Sequence, residues 1–203
     1  MGEDDERSVA DLRVDQVEFA DVILVSKTLE NYASEWMSAD STLAIQRMLS
    51  VDSAMNNLGR ELIALEYKRK FQHEVFLLID VFARLFYSDI VGVRITPLFT
   101  AMCPRFHTDN IACRMIVTYG GLGTEWLLES NLDRRSLGLP AKSNDDHELG
   151  VFREQQSIQQ LATQQVALLK ESAWEGNEAN ALAHRSPLLA PGPARLLLTV
   201  DIV

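Results

Sequence analysis

One stretch near the end of the chain indicates the fold most clearly: Arg195-Leu196-Leu197-Leu198-Thr199-Val200-Asp201. It follows the turn-forming run Pro191-Gly192-Pro193 and has the apolar composition of a strand. Successive side chains of a strand point to opposite faces, so Arg195, Thr199 and Asp201 would share one face. The stretch therefore predicts a final strand that presents an arginine and a hydroxyl on the same side of a sheet.

Similar short runs occur earlier in the chain, and glycine and proline separate them. The predicted strands are residues 19–25, 90–96, 113–119, 123–128, 166–170, 181–184 and 195–203. Apolar residues at three- and four-residue steps predict helices within residues 41–87, and a short helix is predicted at 8–18. Residues 132–165 predict a long loop and a glutamine-rich helix. This order predicts an α+β fold, with N-terminal helices packed on a double-stranded β-helix barrel of the jelly-roll or cupin type.

Composition excludes several classes of function. The 203 residues include 19 Lys and Arg against 29 Asp and Glu, which gives a net charge of −10. Such a charge disfavours nucleic acid and anionic membrane as partners, because both are polyanions. No run approaches the ~18 apolar residues of a membrane span, and no signal peptide is recognisable. With only two cysteines, Cys103 and Cys113, no disulfide framework is implied, and we expect a cytoplasmic protein.

The strongest candidates for metal ligands are His107, Asp109 and His184. Residues i and i+2 of an extended segment share a face, so His107 and Asp109 would point together, and His184 would join them from a later strand. Two histidines and one carboxylate form the facial triad of non-haem Fe(II) oxygenases. Zn(II) accepts the same ligands, so Fe(II) is the first candidate metal and Zn(II) the second.

Simpler interpretations stay open at this point. His107 and Asp109 could hydrogen-bond to each other while His184 lies in the core. Cys103 precedes His107 by four residues, which leaves a thiolate-containing zinc site as an alternative. His73 and His147 lie among charged residues and are predicted to be surface histidines.

Arg195 is the candidate for binding the carboxylate of 2-oxoglutarate, since a guanidinium grips a carboxylate through two parallel hydrogen bonds. Thr199 could add a hydroxyl to the same anion site. Arg114 is a second candidate for anion binding, with Tyr119 assisting it. Glu125 is the candidate for orienting a metal-bound histidine ring.

Four ordered motifs carry a resemblance to a known family: MCPRFHTD at residues 102–109, TYGGLGTEWL at 118–127, HRSP at 184–187 and RLLLTVD at 195–201. On these residues the chain resembles the bacterial family of domain of unknown function 1826, over residues 41–203. The resemblance implies a shared fold and supplies no activity. The 2-oxoglutarate oxygenases are similar in the spacing of the ligands only, and they often carry Ser or Thr two residues after the arginine, where this chain has Leu197.

The N-terminal segment resembles a different family. ERSVADLRVDQVEFADVILVSKT, residues 6–28, is similar to one stretch of the CobW-type GTPase metallochaperones, in which the strand ends in a guanine-reading Asn-Lys-x-Asp motif. Ser26 and Leu29 stand at the Asn and Asp positions, and no phosphate-binding Gly-x-x-x-x-Gly-Lys-Ser/Thr loop occurs, so no GTP binding is expected. We expect residues 1–40 to be a vestigial segment, poorly ordered or docked on the barrel, and residues 41–203 to form a single helix-plus-jelly-roll domain.

Two functional hypotheses follow. The first is a metal-binding jelly-roll enzyme of the non-haem Fe(II), 2-oxoglutarate-dependent oxygenase type, in which the glycine-rich turn at residues 120–123 shapes the mouth of the site. The alternative is a non-catalytic, cupin-like metal-binding protein linked to zinc or metal homeostasis. The substrate, a small molecule or a protein, is not identified by the sequence.

Overall fold

A computed structural model describes residues 22–25, 44–62, 68–139, 146–189 and 195–202. Within these ranges the helices are α1 (Val51–Leu62) and α2 (Lys68–Leu85). The strands are β1 (Val22–Val25), β2 (Ile45–Ser50), β3 (Ile90–Leu98), β4 (Cys113–Gly120), β5 (Glu125–Leu127), β6 (Ile158–Gln160), β7 (Val166–Lys170), β8 (His184–Arg185) and β9 (Arg195–Ile202). No helix in the described ranges is long and apolar enough to cross a membrane.

The strands form two antiparallel sheets. The large sheet has the order β1-β7-β4-β9-β3-β2, and the small sheet has the order β6-β5-β8. β9 lies in the middle of the large sheet, where Leu198 pairs with Ile95 of β3 and with Val117 of β4. The expectation of a mainly β C-terminal half with a strand at its end is therefore confirmed.

One face of the large sheet, called the outer face, belongs to the same hydrophobic cluster as the helices. Every second residue of β4 and β9 enters this cluster, including Met115 and Leu198. Val75 and Phe82 of α2 are members of the cluster, and both are completely buried. The apolar side of the amphipathic helix α2 therefore packs against the outer face of the sheet.

The opposite face, called the inner face, packs toward the small sheet. Ile116, Leu169 and Leu197 project from it into a second hydrophobic cluster, which Trp126 of β5 joins from the other side. The remaining inner-face residues of β9 are Arg195, Thr199 and Asp201, which places a charged residue at each end of the strand. The polar chemistry of the molecule is therefore concentrated between the two sheets.

Two predictions of helix were wrong. Ile45–Ser50, within the predicted helical region, is an edge strand paired with β3. Its buried residues Ile45 and Leu49 are four positions apart, and this spacing fits one face of a strand as well as one turn of a helix. The glutamine-rich segment forms a single 3-10 turn followed by β6, whose Gln159 and Gln160 are exposed because the strand lies at the edge of the small sheet. The helix predicted at residues 8–18 lies outside the described residues.

Candidate metal centre

The two candidate histidines are direct neighbours on adjacent segments. His107 lies in the extended loop between β3 and β4 and forms an isolated antiparallel bridge with His184. The bridge has two backbone hydrogen bonds, from His107 N to His184 O and from His184 N to His107 O, each 3.0 Å long. The centroids of the two imidazole rings are 4.7 Å apart. The backbone pairing thus brings together residues that are far apart in sequence.

Asp109 completes a three-residue cluster. Its carboxylate oxygens lie 3.8 Å from His107 Nε2 and 3.5 Å from His184 Nε2. One ligand atom from each of the three side chains lies within 4.8 Å of the others, so the group could hold a metal ion. Bonds of about 2.0–2.2 Å to nitrogen and oxygen would reach all three from one point after small side-chain adjustments.

Hydrogen bonds to the Nδ1 atoms orient both rings. His107 Nδ1 lies 2.9 Å from the Arg105 carbonyl, and His184 Nδ1 lies 3.1 Å from the Leu182 carbonyl. Because a carbonyl only accepts, Nδ1 carries a proton in both rings, which leaves Nε2 of each ring as the nitrogen that could bind a metal. Glu171 Oε1 is also 3.2 Å from His184 Nδ1 but makes no hydrogen bond among the described residues, so Glu171 acts on this ring as a nearby negative charge.

Asp109 is held by two charged residues, Arg114 of β4 and Glu171, which directly follows β7. Glu171, which is completely buried, accepts a 3.0 Å hydrogen bond from Asp109 N. The Arg114 guanidinium donates to Asp109 Oδ2 and binds Asp201 with two further hydrogen bonds of 2.6 and 2.8 Å. Arg114 is therefore occupied by two carboxylates, and the structure places it as a support for Asp109.

The charges of the cluster shift the pKa of each member. Burial raises the pKa of Asp109, but His184 and the Arg114 guanidinium outweigh it and lower that pKa to about 2. Burial lowers the pKa of His184, yet the carboxylates of Asp109 and Glu171 raise it to about 9. The pKa of His107 is lowered, by burial and by the neighbouring His184. In the metal-free protein at neutral pH the cluster therefore consists of an ionised Asp109, a protonated His184 and a neutral His107.

Arg195 is a buried cation without a carboxylate partner among the described residues. Its side chain is 1% exposed. Nη2 donates to the hydroxyls of Thr118, at 3.1 Å, and Thr124, and Nη1 lies 3.5 Å from the Ser186 hydroxyl. Nε has no hydrogen-bond partner, and burial lowers the pKa of Arg195 to about 10. A buried guanidinium normally has an anion or a full set of acceptors, so Arg195 is the candidate for binding an anion.

The structure separates the other predicted members of the anion site. Thr199 is buried on the inner face of β9 between Arg195 and Asp201, on the side expected from the alternation. Tyr119 belongs to the outer-face cluster, where its ring packs edge-on against Phe71 at 5.0 Å. Tyr119 therefore lies on the opposite side of the sheet from Arg195.

Glu125 does not contact either imidazole ring among the described hydrogen bonds. Its carboxylate accepts a 2.7 Å hydrogen bond from Arg185 Nε, so the prediction that Glu125 orients a ligand ring is wrong. Arg185 follows His184 directly, and adjacent residues of an extended segment point to opposite faces. The pair consequently lies behind the cluster and not within it.

A buried charge network lies behind both histidine segments. Asp146, which is completely buried, accepts from Phe106 N at 2.8 Å and from Arg185 Nη1 at 3.0 Å. Arg105 Nε donates to the same carboxylate at 3.4 Å. Phe106 immediately precedes His107 and Arg185 immediately follows His184, so a single carboxylate ties the two ligand segments together.

Five supporting residues were not predicted from the sequence. They are Thr118, Thr124, Asp146, Glu171 and Ser186. Thr118 was detectable in principle, because it shares a strand face with Arg114 in β4. Glu171 and Asp146 lie 62 and 40 residues from their partners Asp109 and Phe106, and no local pattern marks such contacts.

The sequence and fold were compared with known proteins. The profile of the family described as "Protein of unknown function (DUF1826)" matches residues 6–201. The match begins well before residue 41, where the resemblance was expected to start, and includes the segment compared with CobW-type proteins. No curated protein sequence matches the chain significantly.

Several solved structures resemble the fold. The dioxygenase for auxin oxidation of rice has 11% sequence identity and a TM-score of 0.47, with 96% of this chain and 77% of that chain covered. AtDAO1, the dioxygenase for auxin oxidation 1 of Arabidopsis thaliana in a 2-oxoglutarate complex, has 12% identity and a TM-score of 0.41, with 79% of this chain covered. The match spans only 62% of that Arabidopsis protein. The Fe(II)/α-ketoglutarate-dependent dioxygenase TqaL has 13% identity and a TM-score of 0.44, with 93% and 84% of the two chains covered. These values are too low to transfer a function.

Proposed function

We propose that this chain, which belongs to the DUF1826 family of proteins of unknown function, is an enzyme of the non-haem Fe(II), 2-oxoglutarate-dependent oxygenase type. The observation that carries the proposal is the buried Arg195, which has no carboxylate partner in the part of the chain that the structure describes and lies beside the segment that bears His184. Ser186, which contacts Arg195, is two residues from His184, and two residues of chain span at most about 7 Å. A metal cluster and a buried guanidinium attached to neighbouring positions of one segment suit a cosubstrate that carries an acid group at each end.

The ligand set fits Fe(II). His107, Asp109 and His184 would hold the ion, and two imidazoles with one carboxylate are the ligand types of the non-haem Fe(II) facial triad. When bound, Fe(II) with 2-oxoglutarate would supply the oxidising chemistry with O2. The two facing sheets with a hydrophobic cluster between them support the assignment of the fold as a double-stranded β-helix.

The residues of the chain would then have distinct roles. His107, Asp109 and His184 would hold the metal, and Arg195 would bind the distal carboxylate of 2-oxoglutarate through its guanidinium fork. The residue two positions after Arg195 is Leu197, which packs in the inner-face hydrophobic cluster and offers no hydroxyl group. Hydroxyl groups from other segments would assist Arg195 instead. They come from Thr118, Thr124 and Ser186, on neighbouring segments.

The test is an anaerobic titration with Fe(II) followed by 2-oxoglutarate. We expect a visible charge-transfer band when both are present, because 2-oxoglutarate chelates the iron in enzymes of this type. His184→Ala should abolish the band and reduce the affinity for Fe(II) by more than about 100-fold, since loss of a supporting group alone costs about 10–100-fold. His73→Ala, at an exposed position of α2, is the matched control and should behave like the wild type. A band of equal intensity in His184→Ala would contradict the assignment.

The role of Arg195 is tested separately. Arg195→Lys keeps the charge but removes the bidentate fork, so the affinity for 2-oxoglutarate should fall at least about tenfold while Fe(II) binding is retained. Arg84→Lys, on an exposed arginine of α2, is the control. An unchanged affinity for 2-oxoglutarate in Arg195→Lys would remove Arg195 from this role.

The same titration examines the alternative function. Stoichiometric zinc binding without a 2-oxoglutarate band would favour a non-catalytic protein of metal supply, which is the role suggested by the CobW-like resemblance of residues 6–28. That resemblance remains a hypothesis, and most of the segment lies outside the described residues.

A further inference from the structure

A hollow of about 390 Å³ lies on the inner face at the β2 edge of the large sheet. Gln46, Met48, Gly92, Arg94 and Asp201 line it, together with neighbouring residues of β2 and β3. The volume lies within the range of small-molecule sites, about 300–1,000 Å³. The hollow is separate from the site around Arg195, because Arg94 pairs with Thr199, four residues or roughly 13 Å along β9 from Arg195.

The register of the strands explains why a hollow exists here. Met48 of β2 pairs with Gly92 of β3, and Gly92 pairs with Asp201 of β9. The middle position of this row has no side chain, so the inner face is recessed between the thioether of Met48 and the carboxylate of Asp201. Met48 is 64% exposed, which leaves an apolar surface open to a ligand.

The charges in the hollow favour an anion. Arg94 is half-buried, and its only contact among the described residues is a 3.5 Å approach of Nη1 to Met102 Sδ, a weak acceptor. No carboxylate of the described residues lies within 4 Å of it. Both oxygens of Asp201 are bound by Arg114, which it shares with Asp109, so the carboxylate that lines the hollow is already paired with a cation. The hollow is therefore lined by two arginines, Arg47 and Arg94, against one carboxylate, and Arg94 is the arginine on its inner-face floor.

Direct contacts connect the hollow to the metal centre. Asp201 binds Arg114, and Arg114 binds the candidate ligand Asp109. Gly92 is two strands away from Arg114, a distance of roughly 10 Å at the ordinary strand spacing. Met102, which touches Arg94, belongs to the loop that carries His107. The floor of the hollow is thus within the length of a small molecule of Arg114, which holds Asp109.

We propose that this hollow is the substrate site, and that the substrate is a small molecule with an acidic group, a carboxylate or a phosphate, attached to an apolar chain. Arg94 binds the acidic group and Met48 contacts the apolar chain, while the far end of the molecule points toward His107, Asp109 and His184. The assignment of the ligand as a substrate rests on the proposed oxygenase function. The binding site itself does not depend on it.

The experiment measures the binding of three probes by isothermal titration calorimetry: hexanoate, hexyl phosphate and hexylammonium. The full chain is used metal-free and, anaerobically, with Fe(II) and 2-oxoglutarate. We expect at least one anionic probe to bind and hexylammonium not to bind, and the stronger of the two anions identifies the acidic group. Arg94→Gln should weaken the binding of the anion about tenfold or more, because a charge-assisted hydrogen bond is lost. Arg84→Gln is the matched control and should bind as the wild type does.

A second variant tests the site without altering Arg94. Met48→Glu places a negative charge at an exposed edge position, which the fold tolerates, and it should abolish binding of the anionic probe. The proposal is overturned if neither anion binds the wild type, or if both variants bind it as the wild type does. The charge-transfer band separates the two hypotheses. A band without binding of an anion refutes the substrate site alone, whereas binding that depends on Arg94 without a band refutes the oxygenase function alone.

Discussion

Asp146 shows how a single buried residue supports the candidate site without belonging to it. Its carboxylate accepts hydrogen bonds from Phe106 N and from Arg185, the neighbours in sequence of His107 and His184. Arg185 also stacks on the Phe106 ring at 4.4 Å, so the network joins charge and apolar packing. The distance between the two histidine segments therefore depends on a residue behind them.

Replacing Asp146 by alanine should destabilise the protein and weaken metal binding. The substitution leaves Arg185 buried with Glu125 as its remaining partner, and breaking a buried ion pair costs about 3–5 kcal/mol. We expect the free energy of unfolding, measured by urea denaturation, to fall by about 3 kcal/mol, because Glu125 compensates in part. The affinity for Fe(II) should fall about 10–100-fold, as for other residues that orient metal ligands.

The control for this prediction is Asp133→Ala. Asp133 pairs with Arg135 at the surface and has no contact with the ligand segments. Its affinity for Fe(II) should equal that of the wild type. If Asp146→Ala binds Fe(II) as tightly as Asp133→Ala, the network does not position the histidines.

Among the elements, the short connection from β4 to β5 controls the anion site. Thr118 near the end of β4 and Thr124 at the end of the connection both accept hydrogen bonds from Arg195 Nη2. Gly123 lies against the backbone of Leu161, and Leu161 N donates to the Thr124 carbonyl at 2.9 Å. The approach of these two backbones fixes the position of Thr124 relative to β9.

Gly123→Ala should disrupt this connection. A Cβ atom at Gly123 would lie 1.9 Å from the Leu161 carbonyl oxygen, so the backbone must move, and strain of this kind costs about 1–3 kcal/mol or more. We expect a lower free energy of unfolding and a weaker affinity for 2-oxoglutarate, measured by urea denaturation and calorimetry. Gly138→Ala is the control: no atom lies within 4 Å of its added Cβ, and only its positive φ of 69° opposes the change, at about 1 kcal/mol. Equal effects of the two substitutions would show that the approach to Leu161 is not important.

At the scale of the whole molecule, the two sheets enclose charges that are distributed in separate groups. Asp109 and Glu171 face His184 and Arg114, while Arg195 stands apart with hydroxyl groups only. Asp201 also binds Arg114, so the metal cluster and its supporting residues contain three carboxylates against two cations before a metal binds. Arg195 is a buried cation apart from this group. Metal binding must displace the proton that stabilises this arrangement.

The affinity for metal should consequently increase with pH. Since the pKa of His184 is raised to about 9 and metal binds only the neutral imidazole, one proton leaves on binding below pH 9. The affinity should rise about tenfold per pH unit up to that pKa and then level off. Calorimetry at pH 7 in buffers of different ionisation enthalpy should show release of about one proton per Fe(II).

Stability should change in the opposite direction in the metal-free protein. Folding raises the pKa of His184 from its ordinary value of about 6.5 to about 9, so protonation of His184 stabilises the folded state. This stabilisation is complete below pH 6.5 and is lost as the pH rises through about 9. The melting temperature without metal should therefore fall between pH 7 and 9.5, and the fall should disappear in His184→Ala. Absence of proton release at pH 7 would contradict the charge state assigned to His184.

Local patterns account for most of the elements but not for all of them. The runs that became β3, β4, β7 and β9 combine apolar residues with turn signals at both ends, and their bounds were predicted to within two residues. Ile45 and Leu49 lie in the region predicted to be helical, because two apolar residues four positions apart fit one face of a helix as well as one face of a strand. Pairing with β3 decides between them, and a partner 40 or more residues away is not visible in a local pattern.

The sequence by itself determined the ligand types, their approximate placement on extended segments, and the face of the last strand that carries Arg195. These features follow from the twofold period of a strand, which depends only on neighbouring residues. The tertiary structure alone decided that His107 pairs with His184, that Arg114 binds carboxylates of the chain itself, and that Tyr119 faces the helices. It also decided that Arg195 is buried without a carboxylate. The reason is physical: hydrogen bonding, burial and the resulting pKa values depend on which segments pack together, and that is a property of the folded chain as a whole.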